Sequence, residues 1–553
     1  MRTAIYETVQ ESKRLIFIGT ETYSRVICGF SCIGAALIGY YRNVSFMYKI
    51  MFMKKFFLVF FACLCADIAL AQFVNFDKNG KQIIRFSTSG NAIDAHDGEI
   101  AYFDGEYYLY GTSYDCGFEW GNKIAPFCGF KVYVSKDLKS WTDRGYLFDA
   151  TGQQWQCRCN GKTYGCFRPH VVFNKKTKKY VLWVNVYDNR VGYRVFTASR
   201  PTGPFKEVAE PSLAVNNDMP EKGLNNGDHD LFIDEDGTAY LAYTDWRTNG
   251  TIVIEKLSSD YLTGTGECVK SVTSGATEAP ALFKREGKYY ILYSDPNCGY
   301  CGGTGTSYKT ASSPLGPWSS AKKISDNSCG GQPSFVSVLR YNSKTIYVYG
   351  SDLWNNAAKN EALANYFWTP LSFDENGAIK AIDCSNRIME KAGVLSDAKA
   401  GSYDASWANC DITNGIQHMQ ILEAPKSGKL KDISITVFKT GYPDADLVVG
   451  VYKVSSDNYP AGPPLYTEKL KADALGWSPK LFSLYPALTV KQGDRFCLVL
   501  KSGTSSGCYG AVYSEGSAPG KSGVYKSEDE GKTYTLESGK HLKVSFSIKR
   551  GKK

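Results

Sequence analysis

Residues 228–243 read DHDLFIDEDGTAYLAY, and residues 278–293 read EAPALFKREGKYYILY. Each is a short strand, a tight turn holding Gly and charged residues, and a second strand rich in Tyr, Leu and Ile. Gly, Asp and Asn supply the positive φ that hairpin loops need, so both stretches predict antiparallel hairpins. An acidic residue opens each copy: Asp228 lies twelve residues before Tyr240, and Glu278 twelve before Tyr290. Residues 97–110, DGEIAYFDGEYYLY, repeat the pattern, with Asp97 eleven residues before Tyr108.

Working outward, the aromatic second strands recur around Tyr108, Tyr180, Tyr240, Tyr290 and Tyr347, at intervals of 72, 60, 50 and 57 residues. Their turns are FDGE, NKKTKK, DEDG, KREGK and YNSKT. Behind three of them come VYVSKDLKSWTDRG, YRVFTASRPTGPFKEV and YKTASSPLGPWSS, which read as the outer strands of units one, two and four. Units of this length with period-two alternation are the signature of four-stranded propeller blades. Long helical periodicity is missing. The expected fold is all-β, a five-bladed β-propeller over residues 72–390.

In such a ring the residue opening the first strand of each blade points into one axial funnel. Asp97, Arg168, Asp228, Glu278 and Gln332 hold that place. Three carboxyls around one pocket crowd like charge, which raises the pKa of one of them. The count in blade one falls between His96 and Asp97, so a slip of one residue would aim His96 inward instead. Arg168 is expected to bind ligand hydroxyls or balance the carboxylates, and Gln332 to bind ligand or water. Trp246 is a candidate stacking platform, with Trp120, Trp155 and Trp354 as alternatives near the mouth.

The chain has 553 residues, 64 basic and 55 acidic. Residues 53–71 read as a signal peptide: Met53-Lys54-Lys55, the apolar run from Phe56, and Ala69-Leu70-Ala71 before Gln72. This predicts export to the periplasm or beyond, with no membrane span in the mature chain. Residues 1–52 are expected to be an upstream extension outside the fold. The remainder carries 56 basic and 51 acidic residues with no basic cluster, which excludes nucleic acid as partner and suits a neutral ligand. Thirteen cysteines remain after residue 71; Cys116/Cys128, Cys157/Cys166 and Cys497/Cys508 are plausible local pairs, although sequence leaves connectivity open. The CRC and CGYC spacings lack the second ligand pair of a zinc site and read as loop staples or free thiols. Asp234 and Asp236 read as turn formers, and no metal or cofactor is expected. After residue 395 the repeat gives way to DISITVF, DLVVGVYKV, RFCLVLKS, CYGAVYS and HLKVSFSIK, a β-sandwich of jelly-roll type over 395–550 that binds carbohydrate or packs on the propeller.

DHDLFIDEDGTAYL, TEAPALFKREGKYYILYS and AHDGEIAYFDGEYYLYGTSY resemble glycoside hydrolase family 43, the five-bladed propeller glycosidases, over about residues 90–385. The resemblance implies Asp97 as general base, which activates water, Asp228 as pKa modulator and Glu278 as general acid, which protonates the leaving oxygen, with His96, Arg168, Trp246 and Gln332 as sugar ligands. Some relatives have Gly in place of the base, and there a Gln opening the fifth blade has been proposed to act; Gln332 holds that place. The family's GHG element with its central His is not visible in blade five, so a central calcium is not supported. The implied function is an inverting exo-glycosidase acting on plant cell-wall oligo- or polysaccharide, foremost an α-L-arabinofuranosidase. The alternatives are an exo-β-1,3-galactanase or β-galactosidase, toward which AHDGEIAYFDGEYYLYG leans, and a β-xylosidase. A glycan-binding propeller without turnover is the rival from another class.

Overall fold

The computed structural model describes residues 73–76, 82–118, 125–159, 165–215, 226–298, 302–354, 360–384, 386–389, 395–398, 408–515 and 521–549. The expected signal peptide, the upstream extension and Trp120 lie outside these residues. Among the described residues no helix is long and apolar enough to cross a membrane.

Five antiparallel sheets follow one another along the chain. Blade one pairs strands His96–Phe103, Glu106–Thr112, Phe130–Ser135 and Thr142–Tyr146 in that order. Blade two runs from Cys166–Asn174 to Lys206–Ala209, blade three from Asn226–Ile233 to Gly264–Val269, and blade four from Glu278–Arg285 to Lys322–Ser325. Aromatic and branched side chains alternate along the second strands, so one set packs toward each neighbouring blade. Trp183, Tyr193, Leu241 and Val253 share one such core between blades two and three, and Ile252, Leu282 and Tyr293 another between three and four.

Blade five departs from the four-stranded expectation. It has three strands, Gln332–Tyr341, Lys344–Leu353 and Asn365–Pro370. Its outer edge is held instead by the segment preceding blade one. The Asn75 side-chain amide donates to the Trp368 carbonyl at 3.0 Å, and its oxygen accepts the Trp368 N–H at 2.9 Å. The Arg85 guanidinium covers the Trp368 ring at 4.3 Å. Joining the start of the chain to the last blade closes the ring, and Ile93, Leu109, Phe335, Val348 and Trp368 form the core at the seam.

All five inner strands carry an extra residue relative to their partners, at the same end. The register shifts fall between His96 and Glu99, Phe167 and His170, Asn226 and His229, Glu278 and Ala281, and Pro333 and Phe335. Such bulges bend a strand and re-aim side chains. Asp97, Arg168 and Asp228 lie inside their bulges and Glu278 at the edge of its own, with φ of 56° at Asp97 and 55° at Arg168.

The C-terminal region forms a seven-stranded and a six-stranded sheet enclosing Leu422, Ile433, Val449, Leu498 and Tyr509. Its segment around Trp477 is bonded to the propeller. The Asp115 carboxylate accepts the Ser478 N–H at 3.0 Å and pairs with Lys480 at 2.5 Å, while the Asp115 carbonyl accepts the Trp477 N–H at 2.8 Å. Asn360 donates to Thr440 at 2.9 Å and to the Trp477 carbonyl at 3.1 Å. Gly117 has φ of +92°, and a Cβ there would stand 2.7 Å from the indole of Trp477, so only glycine admits this approach. Disulfides join Cys116–Cys128, Cys159–Cys166, Cys329–Cys384 and Cys410–Cys508. The first is as expected. The other two local pairings are corrected: Cys157 is an exposed free thiol, and Cys497 is a free thiol buried with Met419 and Val499, while Cys508 pairs with Cys410.

Candidate active site

The bulged ends of the inner strands gather their side chains around one buried guanidinium. Arg168 Nη2 donates to Asp228 Oδ2 at 2.7 Å and to the Pro333 carbonyl at 3.2 Å, and Nη1 donates to the Ser334 carbonyl at 3.0 Å. Blade two thereby reaches across to blades three and five. Burial opposes the Arg168 charge, but the fields of Asp228, Asp97 and Glu278 outweigh it and raise its pKa. All three sequence-selected carboxyls therefore act on this one cation.

Asp97 is buried, with 5% of its surface exposed. Its Oδ1 accepts the Thr112 hydroxyl at 2.7 Å and its Oδ2 the Tyr114 hydroxyl at 3.4 Å. Burial pushes its pKa up to about 7, with Asp352 and Asp228 adding repulsion while Arg168 and Thr112 pull the other way. Glu278 is only partly exposed. Burial, then repulsion from Asp228, hold its carboxyl well above the usual range, against Arg168 and two amide donors. Those donors are the Asn297 amide at 2.8 Å and the Gln332 amide at 3.3 Å, both on Oε2. Gln332 is itself oriented by the Trp354 indole, which donates to its oxygen at 3.1 Å.

Of the remaining expectations, Trp246 is half-buried beside the site. Its indole lies over Gly227, next to Asp228, where a Cβ would come within 2.4 Å of Nε1. His96 is corrected as a sugar ligand. It is fully buried between Asp94 and Asp352 with its ring stacked on Tyr366, because the bulge turns Asp97 toward Arg168 and leaves its neighbour facing the core. Trp155 and Trp354 are likewise buried rather than stacking platforms.

Asn297 and Tyr187 were missed. Tyr187 follows the second strand of blade two; burial and the fields of Glu278 and Asp228 hold its phenol protonated. Both lie just past strand ends, where alternation no longer indicates direction. The one available signal was position, since each follows a predicted second strand at the end where the carboxyls converge.

Beneath this layer, two residues along the strands, lies another. His170 Nδ1 is 3.2 Å from Asp230 and 3.7 Å from Glu99. Burial raises Glu99 to about 7, with His170 opposing. A cavity of about 670 Å³ opens at the far end of the axis, lined by Glu99, Phe103, Asp230, Asp234, Lys284 and Val338. It contains none of Asp97, Asp228 and Glu278, so the converging carboxyls, rather than this cavity, mark the site. Among the described residues no group of three or more His, Cys, Asp or Glu is placed to hold a metal ion.

Residues 90–331, which contain Asp97, Arg168, Asp228 and Glu278, match the family model described as glycosyl hydrolases family 43. Residues 90–331 are a family 43 glycoside hydrolase domain. Among characterised relatives, the β-D-galactofuranosidase of Aspergillus niger is 27% identical over 306 residues, covering 53% of this chain and 84% of that protein. The arabinoxylan arabinofuranohydrolase of Bacillus subtilis is 24% identical over 247 residues, covering 39% of this chain and 47% of that one. A solved family 43 β-1,3-galactosidase with galactodeoxynojirimycin is 26% identical at a TM-score of 0.45, covering 54% of this chain and 96% of that chain. The family match ends at residue 331, one position before Gln332, so the fifth blade and the sandwich lie beyond it.

Proposed function

We propose that this family 43 hydrolase is an exported, inverting exo-glycosidase that removes terminal sugars from the side chains of plant polysaccharides. The observation that carries this reading is the convergence of Asp97, Asp228 and Glu278 on the Arg168 guanidinium.

In this reading Glu278 is the general acid. It must carry a proton when the substrate arrives, and burial beside the Asp228 carboxylate keeps one on it. Asp228 is held in place by the 2.7 Å contact with Arg168 and supplies the repulsion. Asp97 is the general base: it removes a proton from water attacking the anomeric carbon on the face opposite Glu278. The C–O bond to the leaving group breaks as the water oxygen bonds to carbon, Glu278 gives its proton to the leaving oxygen, and the anomer inverts. Gln332 and Asn297 orient the Glu278 carboxyl, and Trp246 offers a partly exposed ring to the sugar.

For the sugar, an α-L-arabinofuranosyl group comes first. Two relatives named for furanosides support it, and β-D-galactofuranose has the ring configuration of α-L-arabinofuranose with a longer exocyclic chain. A β-linked galactosyl group is the second reading, favoured by the opening AHDGEIAYFDGEYYLYG of blade one. Aryl α-L-arabinofuranosides, β-D-galactofuranosides, β-D-galactopyranosides and β-D-xylosides assayed side by side separate these, and proton NMR of the first-formed anomer tests inversion. Retention would overturn the mechanism. Sugar binding without turnover on every glycoside, unchanged by Glu278→Gln, would favour a binding propeller.

A further inference from the structure

Next to Asp97, and bonded to its main chain, runs a row of buried charge. Asp94, His96 and Asp352 are all buried. His96 Nε2 faces Asp94 Oδ1 at 3.5 Å, and Nδ1 faces Asp352 Oδ1 at 3.6 Å. The imidazole is clamped by aromatic rings, stacked on Tyr366 at 5.0 Å and edge-on to Tyr114 at 5.5 Å.

Both ends of the row return to Asp97. Asp352 Oδ2 accepts the Asp97 backbone N–H at 3.1 Å and the Ser334 hydroxyl. Asp94 accepts the Tyr114 N–H at 2.9 Å and the Ser113 hydroxyl, and the Tyr114 hydroxyl donates to Asp97 Oδ2. The base is therefore gripped twice, through its main chain by Asp352 and through its carboxyl by a tyrosine that Asp94 holds.

That grip has a purpose visible in the backbone. At φ of 56° Asp97 has a left-handed conformation that a non-glycine residue keeps only where surrounding structure imposes it. Two carboxylates in a dry interior are themselves tolerable only if paired. A doubly protonated imidazole between them answers both, facing one carboxylate with each ring nitrogen. The Asp94 and Asp352 fields outweigh burial and raise His96 to about 9, so it stays charged through neutral pH.

We infer that Asp352, which faces the His96 ring and accepts the Asp97 backbone N–H, is a positioning residue that fixes Asp97 in its water-activating orientation. This rests on Asp97 being the general base. The charged and polar groups facing Asp97 are Arg168, Asp228, Asp352, Thr112 and Tyr114; those facing His96 are Asp94 and Asp352, with the rings of Tyr114, Tyr366 and Trp354.

The test compares Asp352→Asn, His96→Gln and Asp97→Asn in the full chain, on whichever aryl glycoside the wild type cleaves. Asp352→Asn is expected to lower kcat by about tenfold to a hundredfold, with KM within about threefold. It should also move the acidic limb of the pH profile to lower pH, because one repulsive neighbour of Asp97 is gone. A folded Asp352→Asn protein with wild-type kcat and acidic limb overturns the inference. Should that variant not fold, His96→Gln decides: a fall in kcat at constant KM supports the inference, and wild-type kcat overturns it. Asp97→Asn separates the two levels of the argument. If it retains wild-type turnover, the assignment of the base itself fails; if it is inactive while the Asp352 and His96 variants behave as wild type, only the positioning role does.

Discussion

Asp228 reaches Arg168 at 2.7 Å across two blades, and the same Arg168 is tied to the fifth blade through the Ser334 carbonyl. The ion pair is thus both a strut of the ring and part of the site's electrostatics. Replacing Arg168 by Met should leave the buried Asp228 charge unanswered, at a cost of about 3–5 kcal/mol. Urea unfolding of the variant, with the midpoint and slope read together, checks this.

Asp228→Asn removes the strongest repulsion acting on Glu278 and leaves the Arg168 cation nearby without its hydrogen-bonded carboxylate. Both changes lower the Glu278 pKa. The alkaline limb of kcat/KM should move to lower pH, and turnover should fall by about 10²–10⁴-fold as the acid loses its proton. Sugar binding should survive, which calorimetry with the released monosaccharide would measure.

Asn297→Ala should move the same limb the opposite way. Its amide stabilises the ionised form of Glu278, so removing it raises the pKa further. Gln332→Ala should act in the same direction, since the Gln332 amide meets the same oxygen at 3.3 Å. Limbs moving in opposite directions for Asp228 and Asn297 variants would be hard to obtain from any general loosening of the pocket.

In the proposed mechanism the acidic limb belongs to Asp97. As a base it must be ionised, and its pKa is pushed up to about 7, so kcat/KM of the free enzyme should rise through neutral pH. The sign for stability is opposite. A carboxyl whose pKa is raised on folding holds its proton more tightly in the native state. Its contribution is full below the unfolded value near 3.8 and is lost as pH rises through about 7. His96 acts likewise over a higher window, full below 6.5 and lost through about 9. Asp97→Asn should therefore flatten the decline in melting temperature between about pH 4 and 7, as scanning calorimetry across that range would record.

The blades were legible because strand alternation and turn chemistry are local. Tyr108, Tyr180, Tyr240, Tyr290 and Tyr347 all fall in second strands, and the residues counted back from them reach the converging side chains. What counting could not supply was the bulge. An extra residue in each inner strand changes which neighbour turns inward, and this is why His96 and Asp97 could not be told apart by spacing. Asn297 and Tyr187 escaped because they lie past strand ends, where no period applies. The three-stranded fifth blade escaped because its closure depends on Asn75, 293 residues from Trp368. Disulfide partners also depend on long-range contact: Cys410 and Cys508 are 98 residues apart.

The sandwich should matter to turnover through Asp115. Its carboxylate binds the Ser478 N–H and Lys480, and its own N–H reaches Asp94 at 3.3 Å. Asp94 in turn holds Tyr114, whose hydroxyl meets Asp97. Asp115→Ala would leave the Ser478 N–H and Lys480 without this partner while keeping the backbone link to Asp94. The expected outcome is a drop of about 1–3 kcal/mol in stability, from lost charge-assisted hydrogen bonds, together with a kcat lowered by a factor smaller than for Asp352→Asn. Lys480→Ala should reproduce part of the stability loss and little of the kinetic one, because Lys480 touches Asp115 only at its outer oxygen, Oδ2. If the Asp115 variant were as active as wild type despite a lower melting temperature, the sandwich would support the propeller without bearing on the base.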